Sequence, residues 1–326
     1  MMIAKLRLVN RMVDINTNLP SLLERADEHT LIVIGNGFDL AHEIKSGYND
    51  FKEWLIKHGH EFLVNSINSY FPEIETIEKP KIEDDMWTIK WGDVEEGMGF
   101  YDEKAILGEC RPHEEIDYDH AMQSTARVTD SVLAFFKPHL DEFRDMFVEW
   151  VNSLKIDHVK PFMNLPQNAR YLSFNYTETL EQCYGIEAEK VLHIHGCRLP
   201  NGGEYVFGHF LKKSPNDVYA DDESLTFEIE AHENVVRWMN DWYKPTEYYI
   251  MEHQDLFKHL NDIDTVIFIG KTINRVDEDY FSEIQDHIPE EAKVYMTYHY
   301  DDEPWDFDDY ISRAGLSFEK WRLIQW

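Results

Sequence analysis

Thr30-Leu31-Ile32-Val33-Ile34-Gly35-Asn36-Gly37-Phe38-Asp39 decides the fold of this 326-residue chain. The segment opens as a continuous apolar run, as expected of a strand buried on both faces of a parallel sheet. Glycine ends the run, and Phe51, Trp54, Leu55, Phe62 and Leu63 recur beyond it at helical spacing. Strand, glycine turn and helix in that order begin a doubly wound nucleotide-binding fold. A second apolar strand ending in glycine lies at Thr265-Val266-Ile267-Phe268-Ile269-Gly270. Residues 169–174, 190–194, 205–207 and 293–296 supply further strands, with helices near 178–184 and over about 224–261. The expected fold class is therefore α/β with a parallel sheet.

The two halves of that pattern are separated by a long interruption. From about 70 to 125 the chain is acidic and irregular, with Pro72, Pro80, Gly92, Gly97, Gly99, Gly108 and Pro112. Over about 128–155, Phe136, Leu140, Phe143, Phe147, Trp150 and Leu154 alternate by four and three, which predicts an amphipathic helix with Pro138 as a point for a kink. The expected organisation is a single nucleotide-binding domain over 1–326 with a large, mainly helical insertion over 52–165.

Charge and cysteine content narrow the function. With 63 acidic against 31 basic residues the formal charge is −32, which opposes binding to a nucleic-acid backbone. An anionic small molecule remains compatible, because backbone amides at a helix start supply local positive potential. The three cysteines, Cys110, Cys183 and Cys197, form no CxxC pair, which excludes a zinc ribbon and suits a reducing cytoplasm. Met1 to Val9 is too short and too interrupted by Lys5 and Arg7 for a signal segment, and no stretch approaches the ~18–20 apolar residues of a membrane span. The expected location is the cytoplasm.

Polar residues cluster just past the apolar strands. Gly35 and Gly37 allow the backbone to approach a pyrophosphate; the alternative is that they serve only the geometry of the turn. Asn175 follows one strand in Phe174-Asn175-Tyr176-Thr177, and His195 follows another in His193-Ile194-His195-Gly196. Both should reach the carboxyl edge of the sheet, where open α/β folds bind ligands, so an amide and an imidazole converging there suggest catalysis. Strand alternation puts residues 193 and 195 on one face. His193, further inside, is read as an orienting or packed residue, and Asn175 has the alternative of capping the next helix. A His-x-His pair with Cys197 and His209 downstream also leaves a metal-dependent hydrolase open as the weakest reading.

These stretches resemble the sirtuin-like superfamily, and more specifically the bacterial AbiH abortive-infection family. The resemblance rests on Ile34-Gly35-Asn36-Gly37-Phe38-Asp39-Leu40-Ala41-His42, Trp91-Gly92-Asp93-Val94-Glu95, Phe174-Asn175-Tyr176-Thr177, His193-Ile194-His195-Gly196, Phe207-Gly208-His209, and Phe268-Ile269-Gly270 through Asp277, Tyr280 and Phe281. It implies a sirtuin-like Rossmann fold and an antiphage protein that binds NAD as a substrate and hydrolyses its nicotinamide–ribose bond, with no metal. Asn175 and His195 would be catalytic; Gly35, Asn36, Gly37, Asp39, Thr177, His193, Gly270 and Thr272 would hold NAD. The zinc-binding cysteines of sirtuin deacylases have no counterpart, which disfavours deacylation. Thr177 stands where many sirtuin-like proteins carry Asp, and Lys271-Thr272 where His-Ser is expected. A phage-derived activator or a second copy of the chain is the expected partner, with the insertion as a lid, sensor or buttress. A non-catalytic nucleotide sensor is the alternative.

Overall fold

The computed structural model describes residues 14, 17–72, 74, 91–110, 121–215, 229–298, 311–312, 314–317 and 319–326, with backbone alone at 121–126 and 128. These residues fall into two compact units. The first comprises Met1–Ser46, Ser153–Val206 and Pro245–Trp326; the second comprises Gly47–Asn152 and Phe207–Lys244.

In the first unit the elements run α1 (Leu19–Leu23), β1 (Thr30–Ile34), α2 (Asn36–Ala41), β2 (Arg170–Ser173), α3 (Thr179–Tyr184), β3 (Val191–His193), α4 (Thr246–Glu252), α5 (Gln254–Lys258), β4 (Thr265–Ile269), α6 (Glu278–His287), β5 (Lys293–Tyr298) and β6 (Trp321–Gln325). Six strands form one sheet in the order β3-β2-β1-β4-β5-β6, and every neighbouring pair is parallel. The chain moves from β1 outward to β3, then crosses to the other side of β1 to build β4, β5 and β6. The order of the sheet therefore reverses between β1 and β4, where loops on either side diverge and leave room for functional groups.

The burial pattern explains why β1 lacks alternation. Leu31 and Val33 pack into one core with Leu172, Phe174, Val266, Phe268, Phe281 and Trp321. Ile32 and Ile34 pack into another with Phe38, Tyr171, Leu180, Ile267 and Ile269. Both faces of the sheet are covered, so adjacent residues are equally apolar. Each fully buried aliphatic side chain of this kind contributes about 1.5–3 kcal/mol.

Two sequence expectations change. Residues 205–207 form no strand. Val206 N instead donates to His195 O at 2.9 Å, one bond of an extended segment rather than a ladder. β6 was not foreseen: Trp321-Arg322-Leu323-Ile324-Gln325 follows an acidic stretch, and only Trp321, Leu323 and Ile324 are buried, as suits an edge strand.

The second unit is mainly helical where it is described, with an isolated parallel bridge between His209 and Tyr243. Its helices are Tyr48–Lys57, Glu61–Tyr70, Val94–Gly99, Glu103–Cys110, Ala121–Ser153 and Ile229–Asn240. The 33-residue helix runs through Pro138. Its Phe143, Phe147 and Trp150 pack on Phe51, and Phe147 stacks on Phe207 at 4.2 Å between ring centroids. Beside this aromatic core lies a buried charge pair. Glu95 accepts from the Tyr48 hydroxyl at 2.5 Å and from Gly208 N at 2.9 Å, with Lys244 Nζ at 3.4 Å. Among the described residues, no helix is long and apolar enough to cross a membrane.

Candidate functional site

The loops that follow β1 and β4 meet backbone to backbone. Gly35 N donates to Ile269 O at 3.0 Å and Gly37 N to Gly270 O at 2.8 Å. A Cβ on Gly35 would sit 2.6 Å from Gly270 O, one on Gly37 would sit 2.8 Å from the Gly270 Cα, and one on Gly270 would sit 2.2 Å from Phe38 N. Gly270 also has φ +63°, a conformation that L side chains rarely adopt. Close packing of the two loops thus accounts for all three glycines in this structure, and the expected phosphate-facing amides of Gly35 and Gly37 are both engaged within the protein. Asn36 is held by Ser46, whose hydroxyl donates to Asn36 Oδ1 at 2.6 Å.

In α2, Asp39 is carried inward and the residue is 1% exposed. Its oxygens accept from Thr177 Oγ1 at 2.5 Å and Thr179 Oγ1 at 3.0 Å. Burial pushes the Asp39 pKa up to about 6, against the lowering effects of Thr177, Thr179, the Asn175 amide and the charge of Arg198. A carboxyl poised there can hold or release a proton near neutral pH.

Asn175 follows β2 and is 5% exposed. The helix after it begins at Thr179, with Glu178 in the cap position, so Asn175 is not the cap. Its amide faces Asp39, yet neither amide atom reaches a hydrogen bond of ordinary geometry. A buried amide in that condition costs ~1–3 kcal/mol, the kind of deficit that functional groups carry. Its backbone carbonyl accepts from His193 Nδ1 at 3.0 Å, while His193 Nε2 meets Glu181 Oε1 at 2.8 Å. Burial lowers the His193 pKa, but Cys197 and Glu181 together outweigh it and hold the ring protonated well above the usual imidazole range. Protonated, His193 donates from both nitrogens and orients the Asn175 backbone. Arg198 braces the same segment through a two-pronged pair with Glu178, both contacts at 2.9 Å.

His195 does not share a strand face with His193. β3 ends at His193 and the chain turns, with Gly196 N donating to His193 O at 3.1 Å. The His195 ring instead meets Phe174 edge-on at 5.0 Å and Tyr280 at 5.7 Å. Its Nε2 lies 3.5 Å from Asp277 Oδ1, and Asp277 Oδ2 accepts from Lys271 Nζ at 2.5 Å. Lys271 also lies over the Phe174 ring, 4.5 Å from its centre. Thr272, next along the chain, is exposed. A cavity of about 700 Å³ in this unit is lined by His193, Gly196, Cys197, Tyr248 and His253 among others, and His195 is not among its lining residues.

Residues 31–300 match the sequence pattern that describes the family Bacteriophage abortive infection AbiH, which spans most of the chain. The chain belongs to the AbiH family. No curated protein and no solved structure matches. In this AbiH chain two of the stretches that carry the family likeness meet in the helical unit, where Glu95 accepts from Gly208 N. The neighbouring His209 is fully buried, its Nε2 meeting Met239 O and its Nδ1 accepting from Leu211 N. Burial pushes the His209 pKa down to about 4 and keeps the ring neutral.

Sequence reasoning did not assign site roles to Asp277, Lys271, Thr179 or Glu181. Asp277 was visible only as part of the family pattern, 82 residues beyond its partner histidine, and Lys271 only as a departure from that pattern. Thr179 had a signal in the Thr-x-Thr spacing that returns its hydroxyl to the same carboxylate as Thr177. Among the described residues no group of three or more His, Cys, Asp or Glu is arranged to hold a metal ion.

Proposed function

We propose that this AbiH protein acts in phage defence by binding NAD and cleaving its nicotinamide–ribose bond. One observation carries the reading: the segments that follow four neighbouring strands of the sheet, β3, β2, β1 and β4, bring buried His195, Asn175, Asp39 and Asp277 to the same carboxyl edge, Asp39 from helix α2 and the others from loops. A parallel sheet in the order 3-2-1-4-5-6 is the arrangement of dinucleotide-binding Rossmann folds, which take their ligand at that edge. This supports the sirtuin-like Rossmann reading without adding a contact to it.

Cleavage of the bond passes through an oxocarbenium-like state, which the protein favours by fixing the ribose and aligning water. Asn175 has an amide with hydrogen-bonding capacity to spare and is the group that would position the water or the ribose. His195 would take the proton, a role usually worth about 10²–10⁴-fold. The glycine loops would then set the close approach of backbone to ligand, with Asn36, Asp39, Thr177 and Thr272 around it. Burial of Asn175 and His195 fits a resting state that opens when a phage component arrives.

The test is the NAD pool of cells expressing the chain, measured through phage infection. The account expects NAD to fall after infection with the wild type and to hold with His195→Ala. A pool that holds with both, while the purified chain binds NAD tightly, would support the nucleotide sensor instead.

A further inference from the structure

The His195–Asp277–Lys271 arrangement is built from two loops, the one after β3 and the one between β4 and α6, and is buried throughout, with side-chain exposures of 4%, 5% and 8%. Taking charges out of water is costly unless each meets a partner, so a buried carboxylate bridging a lysine and a histidine is held in place by both. The two oxygens of Asp277 are not equivalent. Oδ2 accepts a charge-assisted bond from Lys271 at 2.5 Å, and Oδ1 faces His195 Nε2 at 3.5 Å. From this geometry, and resting on the reading of His195 as the base, we propose that Asp277 is the positioning residue for His195. Lys271 is the counter-charge that sets how strongly Asp277 acts on the ring.

The physical consequence follows from the signs. A carboxylate beside an imidazole favours the protonated ring. A lysine on the far oxygen draws charge away and weakens that pull. Facing His195 are Asp277 from the loop between β4 and α6, Tyr280 on α6 and, through Asp277, Lys271 from that same loop, which Arg275 also shares. Phe174 supplies an apolar wall to both His195 and Lys271 and keeps water from screening them. The base is thereby set by two opposed charges rather than by one.

The experiment titrates the histidines of the full chain by ¹³C NMR, with His195 assigned by His195→Gln. Asp277→Asn should lower the His195 midpoint by about 1 unit or more, and Lys271→Met should raise it, since an adjacent charge typically moves a pKa by ~1–3 units. Asp277→Glu and Lys271→Arg, which keep the charges, should stay near the wild type. Midpoints that both variants leave unmoved, or move in the same direction, overturn the proposal. Should Asp277→Asn fail to fold, Lys271→Met against Lys271→Arg decides: a rise with Met alone supports it, and equal midpoints overturn it. The titration needs no turnover. A wild type that releases no nicotinamide under any trigger would remove the hydrolase reading and leave this result standing by itself.

Discussion

The Thr177 hydroxyl donates to the buried Asp39 carboxylate at 2.5 Å, joining the loop after β2 to the helix after β1. Thr177 thus occupies the position of an expected acid and serves an acid elsewhere. Asp39 holds its proton to about pH 6 because burial outweighs that bond. A carboxyl whose pKa is raised on folding stabilises the protein fully below its unfolded value of 3.8, and that contribution is lost as pH rises through about 6. The shift corresponds to about 3 kcal/mol. Asp39→Asn removes the titration, so the difference in melting temperature between variant and wild type should move in favour of the variant as pH rises from 4 to 7. A difference that stays constant across that range would contradict the assignment.

Gly270 tests the loop packing. Its positive φ and the 2.2 Å approach to Phe38 N both oppose a side chain. Gly270→Ala should cost more than 3 kcal/mol in urea unfolding, since the strained φ alone costs ~1–2 kcal/mol and the clash adds to it. Gly203→Ala is the control, with φ +80° and nothing within 4 Å, and should cost only the ~1–2 kcal/mol of strain. Equal losses at the two positions would show that the β1 and β4 loops are not in contact as described.

The helical unit carries its own test. Lys244 and Glu95 are buried at 3.4 Å, so Lys244→Met leaves an uncompensated carboxylate and should destabilise by about 3–5 kcal/mol. Adding Glu95→Gln should recover part of the loss, because the neutral amide can still accept from Gly208 N through its oxygen and donate from its NH2 to the Tyr48 hydroxyl oxygen. Strictly additive losses in a double-mutant cycle would deny that the pair is coupled.

Much of the sheet was legible because a strand buried on both faces writes itself as an unbroken apolar run, as Leu31 to Ile34 and Val266 to Ile269 do. β6 was not, since edge burial leaves Arg322 and Gln325 among its apolar residues and breaks the run. Residues 205–207 show the reverse error, an apolar run that the fold uses as extended connector. Asn175 and His195 were legible from their places after strands. Asp277 was not, because nothing in local spacing announces a partner 82 residues away that arrives by folding. The glycines at 35 and 37 were seen, with a ligand and the geometry of the turn as the two readings, but their packing partner Gly270 lies outside the local window.

The central claim is cleavage of NAD at a site formed by Asn175 and His195. It is tested most directly by nicotinamide release from the purified chain incubated with NAD and an extract of phage-infected cells. The account predicts release by the wild type, reduced at least ~10²-fold in His195→Ala and in Asn175→Ala. Release that is absent from the wild type, or equal in all three proteins, would contradict it.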